Sequence, residues 1–189
     1  MSELSSTLER AILDAPMVEH DGFFDIYPNF GSLMIEPQLV TAICKRLGEI
    51  GNFDCDKIAL IESMSIPVGT ALALDLRLPY TVIRKRSYKL PGEVSVAEHT
   101  GYNRADFYIN GIRPDDRIVL FDDTINTGET ISAVVRTLRH IGAEVVDIMT
   151  VMDKGTKRDA LGKELGIAIK TLVSVSIKHG SVEVLFPEE

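Results

Sequence analysis

Residues 117–130 read RIVLFDDTINTGET. Ile118 to Phe121 form an unbroken apolar run, the pattern of a strand buried on both faces at the centre of a parallel sheet. Asp122 and Asp123 follow at the carboxyl end of that run. Beyond the polar stretch from Ile125 to Thr130, Ile131, Val134, Val135, Leu138 and Ile141 recur at helical spacing, and Gly142 stops the helix. The segment is therefore expected to be a strand over 117–121, a loop and a helix. Ligands in open α/β sheets bind beyond the carboxyl ends of the strands. The free N–H groups and dipole of a helix N-terminus favour a phosphate there. Gly128 allows close backbone approach, and Thr127 and Thr130 add hydroxyl donors. The same residues fit a plainer pattern, a capping box from Asn126 to Glu129 behind an Asx-type turn at the aspartates. Capping and anion binding share one geometry, so both readings stand.

Working outward, KIALIES (57–63) reads as a short buried strand, and IPVGTALALDL as a helix with Pro67 near its first turn. PYTVIRKR (79–86) is another strand. SYKLPGEVSVAEHTGYN is polar and irregular, and RADFYING follows as a short strand. On the C-terminal side come a strand, AEVVDIMTVM, a charged loop with a short helix, DKGTKRDALGKELG, and two strands, IKTLVSVSI and SVEVLF. Strand and helix alternate from residue 57 onward, which predicts an α/β fold with a central parallel sheet flanked by helices. Before residue 35 the pattern differs. Leu4, Leu8, Ala11 and Ile12 make one face of a helix over 3–14. Asp21-Gly22 marks a hairpin turn, and a further helix covers 36–50. The expectation is one domain over 1–189, with residues 1–35 as a small N-terminal hood.

The 189 residues are 45% hydrophobic, enough for one full core. A net charge of -8 argues against general nucleic-acid binding. Cys44 and Cys55 have no zinc-like spacing with the scattered histidines, and Cys44 lies on an apolar helix pattern. No basic-then-apolar leader and no run of about 20 apolar residues is present, so a cytoplasmic protein with no membrane partner is expected.

VLFDDTINTGET resembles the 5-phosphoribosyl diphosphate (PRPP) motif of type I phosphoribosyltransferases: apolar strand, two acids, a short variable stretch, then Thr-Gly-x-Thr. The resemblance implies that Asp122 and Asp123 hold the ribose hydroxyls and help organise Mg²⁺ indirectly. It further implies that Ile125, Asn126, Thr127, Gly128, Glu129 and Thr130 wrap the 5′-phosphate. VIRKRSYKLPGEV (82–94) is similar to the start of the mobile loop of adenine phosphoribosyltransferases and their archaeal hypoxanthine relatives, so Arg84, Lys85 and Lys89 are expected on the diphosphate. Without the family, the same cations read as a solvated edge-strand charge run. IALIESMSIPVGTALA resembles the family's diphosphate loop at Glu62, Ser63, Met64 and Ser65. Ser65 stands where glycine is common, which strains the loop if a positive φ is required there. YPNFGSLMIEP (27–37) loosely resembles the base-covering segment, with Leu33 facing the base. A core or dimer-contact role for Phe30, Leu33 and Met34 fits as well. The closest overall likeness is to the archaeal hypoxanthine group, built on the adenine-enzyme plan.

Lys154 falls where hypoxanthine-guanine enzymes carry a lysine that donates to the purine 6-oxo group. An ammonium has donors only, which suits an oxo acceptor and opposes an amine. A surface lysine in DKGTKR is the plainer alternative. Two departures leave the general acid/base open. Asn126 stands where another subgroup has Asp, and Gly101 stands where adenine enzymes have Glu. Asp123 and Glu98 are the candidates. The resemblance implies purine salvage, with PRPP and a purine base as substrates and a homodimer as the assembly. Adenine transfer and a non-catalytic PRPP- or nucleotide-binding regulator are the rival readings.

Overall fold

A computed structural model describes residues 3–20, 23–31, 34–97, 106–178 and 181–187. The chain runs α1 (Glu3–Leu13), β1 (Met17–His20), β2 (Phe23–Ile26), α2 (Pro37–Ile50), β3 (Lys57–Ile61), α3 (Ser65–Leu76), β4 (Tyr80–Ile83), β5 (Val94–Ala97), β6 (Asp106–Ile109), β7 (Arg117–Ile125), α4 (Glu129–Ile141), β8 (Glu144–Asp153), α5 (Arg158–Leu165), β9 (Ile169–Lys178) and β10 (Ser181–Leu185). The main sheet has six strands in the order β10-β9-β8-β7-β3-β4. Neighbours are parallel from β4 to β9, and β10 returns antiparallel along β9, so the sheet is mixed at one edge.

Side chains alternate across each strand and so build two cores. Val119 and Phe121 of β7 join Leu39, Ile43 and Leu47 of α2 and Val68 and Leu72 of α3. Ile118 and Leu120 face the other way, onto Ile131, Val134, Val135 and Leu138 of α4 and Leu161 and Leu165 of α5. The helices thus cover both faces, as the alternation of elements predicts. The N-terminal segments share the first core: Leu8, Ile12, Ile26 and Phe30 are buried within it. They are not a separately packed cap.

The strand order reverses between β3 and β7. From β3 the chain passes through α3 to β4 on one side, and from β7 through α4 to β8 on the other. Because α3 and α4 lie on opposite faces, the sheet opens between the carboxyl ends of β3 and β7.

Three local readings change. β7 runs to Ile125, beyond Phe121, because β8 continues to pair with it through Asp122↔Thr150, Thr124↔Met152 and Ile125↔Asp153. The aspartates therefore belong to the strand, where cross-strand pairing fixes their backbone. The stretch read as irregular contains β5, which pairs antiparallel with β6. Val96 and Phe107 bury themselves in the second core, and this packing overrides the weak local pattern. The capping box does not form. Gly128 is the N-cap of α4 at φ 80, without a side-chain cap, and Asn126 lies outside the helix.

Candidate active site

Four neighbouring parallel strands, β4, β3, β7 and β8, end on the same side of the sheet. Nearly all the residues singled out from the sequence lie at these strand ends or on the segments that follow them.

After β3, Glu62 turns towards the end of β4. Its Oε2 accepts from the Lys85 N–H at 3.2 Å and lies 3.8 Å from Arg84 Nη1. The Glu62–Ser63 peptide is cis. Ser63 is exposed, Met64 half-buried and Ser65 buried. Ser65 is not strained: it opens α3, lies outside the positive-φ residues, and its hydroxyl donates to the Ile61 carbonyl. The hood closes on this loop. A Cβ on Gly31 would lie 2.9 Å from the Met64 carbonyl oxygen, so only glycine allows the approach. Phe30 is a core residue, Met34 is exposed, and Leu33 lies outside the described residues.

After β4, Arg84 bridges to Tyr108 of β6 through backbone hydrogen bonds in both directions, and Lys85 Nζ stands 5.8 Å from the Phe107 ring centroid. The backbone here is fixed by β6 and Glu62, while the Lys85 and Arg86 side chains are exposed beyond the edge strand β4, so the edge-strand reading fits them as well. Lys89 sits at φ 55 in a turn built around Glu93. The Glu93 carboxylate accepts from the Tyr88 N–H at 2.9 Å, the Lys89 N–H at 3.2 Å, Asn110 Nδ2 at 2.8 Å and the Ser87 hydroxyl. Hydrogen bonds from Ser87 and then Asn110 hold this carboxyl down at about 2. Glu98 lies outside the described residues.

At the end of β7, Asp122 Oδ1 accepts from the Asp123 N–H at 2.9 Å, and Asp123 Oδ2 accepts from the Thr124 hydroxyl at 2.8 Å. Asp123 is only 6% exposed. Burial, and then the charge of Asp123, raise the Asp122 carboxyl well above its ordinary range, while Lys85 pulls it down. Burial likewise raises Asp123, opposed by the Thr124 hydroxyl and, more weakly, by Lys154. A lysine from each flank, Lys85 after β4 and Lys154 after β8, thus acts on the acid pair. In the loop that follows, Asn126 and Thr127 are exposed, and Gly128 is buried at positive φ against Leu161. The Thr127 hydroxyl accepts from the Glu129 N–H at 3.4 Å, and Glu129 itself points into solvent.

Lys154 is no free surface lysine. Its N–H donates to the Ile125 carbonyl at 2.8 Å, and its Nζ lies 3.0 Å from Asp25 Oδ1 of the hood strand β2. Next to it, Gly155 lies so close to the phosphate-side loop that a Cβ there would stand 2.0 Å from the Asn126 carbonyl oxygen. The sequence reading missed three residues here. Asp153 is buried, accepts from the Gly155 N–H at 2.9 Å and faces Arg158 at 3.5 Å. Its Asp-x-Gly spacing is a readable Asx-turn signal. Glu93 follows Pro91-Gly92 and binds the amides of Tyr88 and Lys89, which lie ahead of that pair. Asp25 carries no local signal, since only tertiary packing brings it to Lys154.

Among the described residues no group of three or more His, Cys, Asp or Glu side chains could hold a metal ion alone. The donors present are two adjacent carboxylates and nearby hydroxyls. That set fits a hard cation whose remaining ligands come from a polyphosphate substrate. No helix among the described residues is long and apolar enough to cross a membrane.

Comparison with known proteins agrees with this architecture. Residues 35–179 match the family described as phosphoribosyl transferase domain. The hypoxanthine/guanine phosphoribosyltransferase of Methanocaldococcus sp. strain FS406-22 is 39% identical over 94% of this chain and 92% of its own length. That of Methanocaldococcus jannaschii is 37% identical over 94% and 99%. Among solved structures, the adenine phosphoribosyltransferase of Thermoanaerobacter pseudethanolicus superposes with a TM-score of 0.73 at 22% identity, covering 88% of this chain and 99% of that one. The Saccharomyces cerevisiae adenine enzyme, complexed with adenine and an imino-altritol bisphosphate, gives 0.71 at 21% identity, covering 90% and 99%. At such identities these structures speak for the fold alone.

Proposed function

The chain belongs to the phosphoribosyl transferase family, and we propose that it is a single-domain purine-salvage enzyme transferring 5-phosphoribosyl from PRPP to a 6-oxopurine, hypoxanthine or guanine. The products are the nucleotide and diphosphate. The observation that carries this reading is the meeting of the Asp122–Asp123 pair, the 125–130 loop and Lys154 at one strand end. A sugar phosphate and an oxo-bearing base can be held there side by side.

In this reading the amides and hydroxyls from Ile125 to Thr130 take the 5′-phosphate, and Asp122 and Asp123 take the ribose hydroxyls. Mg²⁺ would bind mainly through PRPP oxygens, within reach of the two aspartates, and neutralise charge on the diphosphate. Ser63 and Met64, with Arg84, Lys85 and Lys89, receive the leaving diphosphate, while Ser65, fully buried with its hydroxyl on the Ile61 carbonyl, is withdrawn from it, and Glu62 orients the Arg84–Lys85 pair. Positive charge grows at C1′ as the bond breaks, so the buried acids beneath the ribose favour the transition state. The resemblance implies that the loop beginning at Ser87 closes over the site and excludes water, which otherwise competes as acceptor. Asp123, beside Lys154, is our candidate for the group that exchanges the purine proton, with Glu98 the other.

Lys154 favours a 6-oxopurine over adenine, and the 39% and 37% identical relatives, both hypoxanthine/guanine enzymes, support the same choice. A homodimer fits the family and would cover Leu74, which is 70% exposed on α3. Incubation with PRPP, Mg²⁺ and each purine base in turn is the test. We expect IMP and GMP in preference to AMP. No product from any base would overturn the enzyme reading, and equal use of adenine and hypoxanthine would overturn the choice of base.

A further inference from the structure

We infer that Asp25 is the acceptor half of a two-residue reader of the purine, with Lys154 as the donor half, and that it selects guanine and hypoxanthine against xanthine. This rests on the reading of Lys154 as the 6-oxo donor.

The geometry begins with the placement of the ammonium. Lys154 acts electrostatically on Asp123, on the ribose side, and lies 3.0 Å from Asp25, on the hood side. In the proposed reading, a base joined to the ribose C1′ lies at this point, between Asp123 and the hood. Both side chains project from anchored backbone. Lys154 is tied through its N–H to Ile125. Asp25 precedes Ile26, which is buried in the core, and Tyr27, whose N–H donates to the Pro16 carbonyl at 3.0 Å. Strand alternation turns Asp25 to the face opposite Ile26, away from that core.

Stability is a poor reason for the pair. Lys154 is 15% and Asp25 50% exposed, so water screens the carboxylate side of the pair and its net contribution to stability is small. Its chemistry, in contrast, matches one class of ligand. The lactam edge of a 6-oxopurine presents an acceptor, O6, next to a donor, N1–H. An ammonium has donors only and an ionised carboxylate acceptors only. Set in contact, the two complement that edge in order. Adenine presents the reverse order, an amine and then a bare N1. The substituent at C2 extends the reading. The second carboxylate oxygen can accept from the 2-amino group of guanine, is indifferent to the hydrogen of hypoxanthine, and repels the 2-oxo group of xanthine. A site that satisfies a donor leaves an acceptor unpaired and rejects it strongly.

The test compares kcat/KM for guanine, hypoxanthine and xanthine in the unaltered protein and in Asp25→Asn. The amide keeps the side-chain shape and an acceptor for N1–H, and adds a donor for a 2-oxo group. We expect the unaltered protein to prefer guanine to xanthine by about 100-fold, and the variant to shrink that ratio about tenfold or more. KM for PRPP and the unfolding temperature should not move. If nucleotide forms but the guanine-to-xanthine ratio stays within about twofold, Asp25 does not read the base and this inference alone is overturned. No nucleotide from any base would overturn this inference together with the reaction itself. Equilibrium binding of GMP, IMP and XMP to the unaltered protein gives an independent measure. GMP and IMP should bind more tightly than XMP, and equal affinities would contradict the inference.

Discussion

Two lysines attend the aspartate pair, and each was legible to a different degree. Lys154 is legible through the resemblance to hypoxanthine-guanine enzymes, yet nothing in the sequence pointed to Asp25, because the hood meets the end of β8 only through tertiary packing. Lys154→Leu removes the donor that a 6-oxo group requires. We expect IMP and GMP formation to fall about 100-fold or more while AMP formation holds or rises, read from initial rates. Thr150 supplies a contrasting case. It pairs in register with Asp122, is fully buried, and its hydroxyl has no hydrogen-bond partner among the described residues. Thr150→Val retains the shape and deletes the unsatisfied group, so it should stabilise the protein by about 1 kcal/mol, seen as a higher midpoint in thermal unfolding. Buried threonine is common in strands, and the sequence could not tell a satisfied hydroxyl from an orphan.

At the level of elements, the strands and helices of the core follow from hydrophobic period, because long apolar runs and helical stripes are strong signals. Their ends do not follow, since partners decide them. β7 gained Asp122 to Ile125 from pairing with β8, and β5 gained its place from β6. The 87–93 turn owes its shape to one carboxylate. Glu93 is held at about 2 against an ordinary 4.5. Its folded value is depressed, so its contribution is present in full above the ordinary value and is lost as pH falls through about 2. Amide exchange should show Tyr88 and Lys89 protected at neutral pH and losing protection in that acid window, and Glu93→Gln should abolish the protection at every pH. Gly155 constrains the opposite flank. In Gly155→Ala the new Cβ meets the Asn126 carbonyl oxygen at 2.0 Å, and backbone must move. We expect a loss of about 1–3 kcal/mol in stability and about a tenfold rise in KM for PRPP, measured on the same preparation.

On the scale of the whole molecule, topology explains why a site exists at all. The order reversal between β3 and β7 sends α3 and α4 to opposite faces, and the gap between them receives every loop argued to act on PRPP. The alternation of elements foretold this layout, but not the merging of the N-terminal hood with the α2–α3 core. Short, ambiguous segments reveal their partners only once folded. The assembly is a further prediction at this scale: sedimentation should give twice the 20.9 kDa chain mass, and Leu74→Glu should shift it towards the monomer if α3 lies in the contact. The central claim is that the turn from β7 into α4 grips a ribose 5-phosphate. A crystal structure with ribose 5-phosphate bound tests it most directly. The account predicts the phosphate on the amides between Asn126 and Thr130 and the ribose hydroxyls on Asp122 and Asp123. Ribose phosphate bound elsewhere, or those two carboxylates turned away from the sugar, would contradict it.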